Sequence, residues 1–260
     1  MEAELNAGLA HPNLVATYAY RFAPVTTSSQ GLADWALLMV CELCCFGSLL
    51  GVIDSGRLWD AQEQVPRMAQ VITILGDVAQ GMAYIHSRNI IHRDLKPDNV
   101  LLQNSPAGVV AKVADLGLSV VLGRHQTHIS NARAGMVLYM APEVLQGHSS
   151  WAGDVYSFGV MAWELLHGCT AWTRLQQITQ EPRYLQGLAP HPQLFDHDWR
   201  CQPAGPAVAP VQPGLRGLRD LVDCCLLPRP SARPSFQQLI HWLAILVEVH
   251  GSVMHNTSQG

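Results

Sequence analysis

One loop of this 260-residue chain concentrates charged side chains between two apolar runs, and any fold of the chain has to accommodate it. From Ile91 to Val100 the residues read Ile-His-Arg-Asp-Leu-Lys-Pro-Asp-Asn-Val. Charged groups are rarely buried without partners, so we expect this loop at the mouth of a cleft. A solvated turn between strands would not need this ordered set of opposite charges, which favours a loop that carries chemistry.

The composition predicts a well-filled globular domain, or two lobes that share one cleft. Hydrophobic residues make up 48% of the chain and charged residues 14%, so disorder is not expected. The net charge of −4, with no run of Lys or Arg, argues against a nucleic-acid partner. The acidic start Met1–Glu4 is unlike a secretory signal, and no run approaches the ~20 apolar residues of a membrane span. We therefore expect a soluble, intracellular and cytoplasmic protein without a membrane span.

The seven cysteines predict reduced thiols rather than disulfides. The count is odd, and two adjacent pairs, Cys44-Cys45 and Cys224-Cys225, lie in apolar runs rather than at the spacings of a disulfide framework. We expect most of these thiols to be buried. Cys41 and Cys44 match C-x-x-C, but no second pair follows at zinc spacing, so a zinc site is not expected.

Hydrophobic periodicity predicts several helices and a few strands. Apolar residues at steps of three and four predict helices, and alternating or continuous apolar runs predict strands. The proline-rich stretch from Pro182 to Gly214 is given no long helix. The predicted helices are Glu2–Ala10, Val71–Ser87, Asp154–Leu166, Leu215–Leu227 and one from Ser235 onward, where Ser235 and Gln238 form a capping-box pattern. The predicted strands are Leu14–Phe22, Trp35–Leu43, Val100–Leu102 and Val109–Val113.

The charged loop resembles the catalytic loop of eukaryotic protein kinases, because it matches the pattern H-R-D-L-x-x-x-N at each defined position. Asp115-Leu116-Gly117, after an apolar strand, resembles the D-F-G metal-binding segment of that family, with Leu in place of Phe. The run from Tyr139 to Glu143 resembles the A-P-E end of the activation segment, and Asp154 to Gly159 resembles the central buried helix. Taken together, these sequence motifs are most similar to those of the tyrosine-kinase-like group of Ser/Thr kinases.

The resemblance implies an α+β, protein-kinase-like fold of two lobes, with a truncated β-rich N-lobe and a mainly α-helical C-lobe. Residues 1–43 would form the partial N-lobe, with the end of one helix and two strands. Residues 44–250 would form the hinge and the C-lobe, and residues 251–260 a C-terminal tail.

Phosphoryl transfer in the family depends on positioned charges, and the resemblance implies such roles for the matching residues. Asp94 would accept or orient the proton of the substrate hydroxyl, and Lys96 would place an ammonium against the transferring phosphoryl oxygens. Asn99 and Asp115 would bind Mg²⁺ through oxygen. The implied cofactors are ATP and Mg²⁺. The implied partner is a protein substrate with a Ser or Thr hydroxyl, since the Ser/Thr enzymes of the family resemble this chain in carrying Lys at position 96.

The adenine end of the nucleotide site is implied at the run from Val40 to Cys44, which resembles the hinge between kinase lobes. The backbones of Glu42 and Cys44 would bind the adenine edge, and Leu101 would form the apolar floor. Cys41 would guard the back pocket. From the residues alone, this run is a buried strand.

Further residues have structural or regulatory roles by resemblance. Glu143 would form a buried pair with Arg233, for which the alternative is two surface charges. Asp154 would hold the backbone of the catalytic loop. Arg93 would bind a phosphate that an upstream activating kinase places on the activation loop. The candidate acceptors of that phosphate are Ser119, Thr127 and Ser130.

The resemblance is incomplete at the start of the chain. The Gly-rich phosphate loop and the V-A-I-K strand of the family are not in this sequence, and Glu2 stands where the helix Glu of the family is expected. We expect an N-terminally truncated fragment that binds ATP weakly and turns over slowly. The alternative is a catalytically weak or inactive, pseudokinase-like binding module. Met136 is a second departure, because the Ser/Thr enzymes of the family usually carry Thr there.

Overall fold

Helices contain more of the described residues than strands do, and the described strands pair two by two. The computed structural model describes residues 8–25, 34–63, 65–106, 108–122, 128–129, 136–179, 195 and 213–257. Within these residues the helices are α1 (Leu49–Asp54), α2 (Met68–Ser87), α3 (Pro142–Leu145), α4 (Trp151–His167), α5 (Ala171–Thr179), α6 (Pro213–Cys225) and α7 (Phe236–Thr257). The strands are β1 (Thr17–Val25), β2 (Asp34–Cys41), β3 (Trp59–Asp60), β4 (Val65–Pro66), β5 (Ile90–Ile91), β6 (Val100–Ser105), β7 (Gly108–Val113), β8 (Val120–Val121), β9 (His128–Ile129) and β10 (Ser149–Ser150).

Helix α2 is a central element of the core. Its predicted apolar face is buried, since Ile74, Val78, Met82 and Ile85 are at most 4% exposed. The helix packs against α7 and against β7. Each such side chain contributes about 1.5–3 kcal/mol when it is removed from water. By length and composition α2 could cross a bilayer, but most of it is buried inside the fold, as is typical of a core helix.

Helix α4 is buried along most of its length and is the second long element of the core. It contains the predicted helix of residues 154–166 and extends slightly beyond it at both ends. Phe158 and Trp163 are fully buried. Gly159 lets α4 approach α6 closely, because an added Cβ at this position would lie 2.6 Å from the Cβ of Cys225. A larger residue at position 159 would therefore push these two helices apart.

Two antiparallel hairpins contain the predicted strand pairs. Strand β1 pairs with β2, with Phe22 opposite Leu37, and aromatic side chains of this hairpin such as Trp35 are exposed. Strand β6 pairs with β7, with Val100 opposite Val113. The observed strands differ from the predicted ranges by a few residues, because strand ends are set by the pairing partner as well as by the apolar pattern.

The α+β fold class is confirmed, with small sheets beside a mainly helical part. The capping box is also confirmed, since the Ser235 N–H donates to Gln238 Oε1 at 2.8 Å and the Gln238 N–H donates to Ser235 Oγ at 3.3 Å. Helix α5 and the two-residue strand pairs were not predicted. The strands are too short to leave a periodic pattern. The predicted helix Glu2–Ala10 and the proline-rich stretch 182–214 lie largely outside the described residues.

The prediction of mostly buried thiols is wrong for two cysteines. Cys41 and Cys45 are exposed, whereas Cys44, Cys169 and Cys225 are buried. Cys41 ends β2 and Cys45 lies in the turn that follows, so the helical core covers neither of them. Burial raises the pKa of the Cys225 thiol far above its usual value, and this thiol therefore stays protonated.

A fully buried acid, Glu164, makes the stability of the fold depend on pH. Its Oε1 atom accepts hydrogen bonds from the Tyr139 hydroxyl at 2.8 Å and from the Ala171 N–H at 2.7 Å. Its Oε2 atom has no hydrogen-bond partner among the described residues. The pKa of Glu164 is raised from 4.5 to about 8, and the main cause is the burial of its carboxyl group.

Between pH 4.5 and about 8 the folded protein therefore binds more protons at Glu164 than the unfolded chain does. The free energy of unfolding should fall as the pH rises through this window. We expect Glu164→Gln to reduce this fall, because Gln keeps a similar shape without a titrating group. Urea unfolding of both proteins at about pH 5 and about pH 8 checks the prediction. The difference between them isolates Glu164 from other groups, and equal pH dependences of the two proteins would contradict it.

Candidate active site

The charged loop lies between β5 and β6 and is anchored by buried apolar side chains. Ile91 and Leu95 are at most 1% exposed, and a 3₁₀ turn at Pro97–Asn99 leads directly into β6. Arg93 has a φ of 71°, a left-handed conformation that is uncommon for a residue other than glycine. The surrounding contacts have to hold this backbone in place.

Three predicted site residues contact one another in this loop. The Asp94 carboxylate is 9% exposed, and its Oδ2 atom accepts from Lys96 Nζ at 2.8 Å and from Asn99 Nδ2 at 3.0 Å. The same Asn99 Nδ2 donates to the backbone oxygen of Asp94 at 2.8 Å. Because both side-chain bonds use Oδ2, the Oδ1 atom is left for an incoming hydroxyl. Because Asn99 donates through its nitrogen, its side-chain oxygen is left for a metal ion.

The His92 ring joins this loop to the segment that was predicted to bind metal. Its Nε2 atom donates to the backbone oxygen of Ala114 at 3.1 Å, and its Nδ1 atom accepts from the Asp94 N–H at 3.3 Å. These two bonds assign the neutral tautomer with hydrogen on Nε2. Complete burial lowers the pKa of His92, which favours the same neutral form. The sequence pattern gave His92 no separate role, although it is part of the matching motif.

Asp115 lies at the same end of the β6–β7 hairpin as Asn99. The Ala114 N–H donates to the Asn99 backbone oxygen at 2.8 Å, one residue before Asp115. The Asp115 side chain is exposed, with φ of 59°, and its Oδ1 atom accepts from the Gly117 N–H at 3.1 Å. Leu116 is 5% exposed and belongs to the core, so Leu packs as an apolar side chain at this position.

The residues present fit a Mg²⁺ ion. The amide oxygen of Asn99 and the carboxylate of Asp115 are hard oxygen ligands, which this ion prefers. The hydrogen bond from Asn99 Nδ2 to Asp94 orients the amide and assigns its oxygen to the open side. The exposed Asp115 carboxylate remains accessible to an ion and to phosphate oxygens.

Asp154 holds the backbone of the loop, as the resemblance implied. It is 1% exposed, and its two carboxylate oxygens accept from the N–H of Arg93 at 2.9 Å and from the N–H of His92 at 2.8 Å. His86 contacts the same carboxylate. A role for His86 was not predicted, because a histidine near the end of an amphipathic helix gives no signal of its partner.

The predicted pair of Glu143 and Arg233 is confirmed. The guanidinium of Arg233 makes two bonds to the carboxylate, with Nη1 to Oε1 at 2.6 Å and Nη2 to Oε2 at 2.9 Å. The Arg233 side chain is 0% exposed and the Glu143 side chain is 15% exposed. The alternative of two surface charges is therefore wrong for this pair.

The predicted adenine-binding residues lie where the hinge meets β6. Leu101 forms a β-bridge with the segment that follows the hinge. The Glu42 N–H donates to the Ala16 oxygen at 2.8 Å, and the Gly47 N–H donates to the Cys44 oxygen at 3.2 Å. Neither bond uses the Glu42 carbonyl or the Cys44 N–H, the two groups that were predicted to bind the adenine edge.

The hinge is not the buried strand that its apolar run indicated, since Leu43 is 83% exposed. The Glu42 side chain is instead tied to β7 by an ion pair, with Lys112 Nζ at 3.0 Å from Glu42 Oε2. The same ammonium donates to the Pro12 oxygen at 2.8 Å. The role of Lys112 was not predicted, because this residue has no local signal apart from its place in β7, opposite Leu101 of β6.

Of the three candidate phosphate acceptors, only Ser119 lies within the described residues. Ser119 is 6% exposed, and its hydroxyl donates to the His92 oxygen at 3.3 Å, so it is a poor acceptor. Thr127 and Ser130 lie outside the described residues. Met136 is exposed and lines a cavity together with Arg93 and Asp94, which places it next to the expected base.

Comparisons with known proteins point to one family. The family model described as "Protein kinase domain" matches residues 1–243. The chain is similar to "Receptor-interacting serine/threonine-protein kinase 3" of Rattus norvegicus, with 37% identity over 201 residues that cover 74% of this chain and 37% of that protein. It is also similar to the Homo sapiens protein of the same name, with 35% identity over 201 residues that cover 75% of this chain and 35% of that protein.

The chain thus spans about a third of the length of these two curated relatives. The family match covers nearly all of the chain, and the residues that carry the family motif are in contact. This chain belongs to the protein kinase domain family.

Proposed function

We propose that this chain acts as a protein serine/threonine kinase domain, which transfers the γ-phosphoryl group of ATP to a Ser or Thr hydroxyl of a protein. The observation that carries the proposal is the contact of Lys96 and Asn99 with one oxygen of Asp94. It brings a base, a cation and a metal ligand together at one point, as phosphoryl transfer requires.

Asp94 orients the attacking hydroxyl and takes its proton at Oδ1, because Lys96 and Asn99 hold the other oxygen. Lys96 stabilises the charge that develops on the phosphoryl oxygens. Its bond to Asp94 also fixes the direction of the carboxylate. Asn99 and Asp115 would hold Mg²⁺, which neutralises phosphate charge when it is bound.

The hinge would bind the adenine ring of ATP. The Glu42 carbonyl would accept a hydrogen bond from the exocyclic amine, and the Cys44 N–H would donate to a ring nitrogen. Leu101 would pack against the face of the ring. The Glu42 carboxylate binds Lys112 and accepts the Ala16 N–H, and neither contact uses the Glu42 carbonyl that the ligand would meet.

Two observations favour Ser and Thr over Tyr as the acceptor. Lys96 occupies the position at which the matching Ser/Thr enzymes carry Lys, and both named relatives are described as serine/threonine kinases. An upstream activating kinase is part of the same proposal, with Arg93 as the group that would bind the new phosphate. Thr127 and Ser130 remain the acceptors to test, since Ser119 is buried.

Incubation of the chain with Mg-ATP labelled at the γ-phosphate and a general protein substrate tests this function. We expect slow labelling of the substrate, with the label on Ser and Thr after acid hydrolysis. Labelling of Tyr alone would contradict the acceptor assignment. Mg-ATP binding without any transfer would favour the alternative of a pseudokinase-like binding module.

A further inference from the structure

An exposed methionine lies beside the proposed base. Met136 is 43% exposed, and it lines one cavity together with Arg93 and Asp94. Its backbone is held in place, because the Tyr139 N–H donates to the Met136 oxygen at 3.0 Å and closes the 3₁₀ turn Val137–Tyr139. The thioether is therefore kept at the cavity, although solvent reaches it.

The described methionines fall into two groups by exposure. Met39 on β2 is similar to Met136, since it is 37% exposed. An oxidant in solution meets an exposed thioether directly, but it reaches a buried one only when the fold opens locally. Oxidation is therefore expected first at Met136 and Met39. The other described methionines are at most 9% exposed, namely Met68, Met82, Met140 and Met161.

The groups around Met136 would respond to its oxidation. A thioether is a weak hydrogen-bond acceptor, whereas a sulfoxide is polar and accepts through its oxygen. The Arg93 Nε atom has no hydrogen-bond partner among the described residues. The Lys96 ammonium has three N–H donors, one of which goes to Asp94 Oδ2 at 2.8 Å. The Asp94 carboxylate can only accept, so it would be repelled by a sulfoxide oxygen beside it.

We propose that Met136 is an oxidation site, at which a peroxide converts the thioether to a sulfoxide and impairs the side of the cleft where the substrate hydroxyl would bind. One oxygen atom passes from hydrogen peroxide to the sulfur, so that methionine loses two electrons and the peroxide leaves as water. The sulfoxide oxygen would attract Lys96 or Arg93 and take up space beside Asp94. Its effect on catalysis rests on the proposed function, whereas the selective oxidation of Met136 does not.

Nucleotide binding should be spared by this oxidation. In the described part of the chain, none of the residues proposed to bind adenine or Mg²⁺ lines the cavity of Met136. Oxidation should therefore slow phosphoryl transfer but leave the rise in melting temperature caused by Mg-ATP unchanged. A loss of that rise on oxidation of Met136 would place the damage at the nucleotide site and overturn the proposal.

Oxidation rates in hydrogen peroxide test the selectivity without nucleotide or activity, and mass spectrometry of proteolytic peptides measures them. We expect Met136 to be oxidised at a rate within about threefold of that of Met39, and at least about tenfold faster than Met82 and Met161. The latter two side chains are 0% exposed. Oxidation of Met136 as slow as that of these two residues would overturn the proposal.

Three proteins separate Met136 from other groups that peroxide oxidises, namely the original chain, Met136→Leu and Met39→Leu. Leu keeps an apolar side chain but cannot form a sulfoxide. Each protein is compared with its own untreated state. We expect oxidation to slow transfer about tenfold or more in the original chain and in Met39→Leu, but less than about twofold in Met136→Leu. The three proteins share the exposed thiols of Cys41 and Cys45, so equal losses in all three would overturn the proposal.

Two further readings need no comparison of oxidised variants. Met136→Gln places an amide oxygen near the expected sulfoxide oxygen, so without oxidant it should transfer about tenfold more slowly than Met136→Leu. Methionine sulfoxide reductase should restore transfer in the oxidised original chain. Equal transfer by the Gln and Leu variants, or no recovery with the reductase, would contradict the proposal. If the original chain transfers no phosphate, the proposed function fails, and the oxidation rates alone decide whether Met136 is the oxidation site.

Discussion

Asp94→Asn should lower kcat for phosphoryl transfer by about 10²- to 10⁴-fold, with little change in the KM for ATP. Asn has the same shape, but its side chain cannot take the proton of the attacking hydroxyl. Asn also gives up the charge that attracts the Lys96 ammonium, now 2.8 Å from Asp94 Oδ2. Steady-state transfer from Mg-ATP to a general protein substrate measures the effect.

Asp98→Asn is the matched control for this change. Asp98 is exposed and lies in the 3₁₀ turn of the same loop, so the variant removes the same charge a few residues away. We expect kcat of Asp98→Asn to stay within about threefold of the original value, since surface substitutions have small effects. Equal losses in Asp94→Asn and Asp98→Asn would mean that net charge, and not a positioned base, sets the rate.

Arg233→Met should destabilise the fold by about 3–5 kcal/mol, because it strands a charge and removes a set of buried hydrogen bonds. The Arg233 guanidinium binds the Glu143 carboxylate and also donates to three backbone oxygens. Those oxygens belong to Leu227, Ala152 and Pro228. The loss would leave Glu143 without its buried partner. Urea unfolding gives the change in free energy directly.

Arg229→Met is the control for Arg233→Met, because Arg229 is exposed just before the 3₁₀ turn that precedes Arg233. It should change stability by less than about 0.5 kcal/mol. A further variant with Met at both 143 and 233 should recover part of the loss, because no charge is then left unpaired. Losses of similar size in the two single variants would show that the ion pair has no special weight.

The catalytic loop could be predicted because its geometry is local. Asp94, Lys96 and Asn99 lie within six consecutive residues, and one 3₁₀ turn is enough to bring their side chains together. The core helices could be predicted for a similar reason, since a buried face such as that of Ile74 and Val78 repeats within a single element.

Contacts between distant parts of the chain could be predicted only where the motif itself named both partners. The pair of Glu143 and Arg233 is such a case, and its members are 90 positions apart in the sequence. The contact of His86 with Asp154 spans 68 residues, and it depends on how α2 packs beside the start of α4. Neither residue carries a local pattern that points to the other.

The exposure of Cys41 and Leu43 was missed for a related physical reason. An apolar run indicates burial only if another layer covers it, and the described residues place no such layer over these two side chains. The same limit applies to Lys112, because its bond to Glu42 joins β7 to the hinge and depends on how distant parts of the chain pack.

The most direct measurement is a thermal-shift titration of the chain and of Asp115→Ala with ATP, in the presence and absence of Mg²⁺. Asp115 has a φ of 59° and accepts the Gly117 N–H, so Ala should lower the unliganded melting temperature somewhat, and each shift is measured from the unliganded value of the same protein. We predict that Mg-ATP raises the melting temperature of the original chain and that the Mg²⁺-dependent part of this rise is lost in Asp115→Ala. An equal Mg²⁺-dependent rise in both proteins would contradict the assignment of Asp115 to the metal and nucleotide site of a kinase.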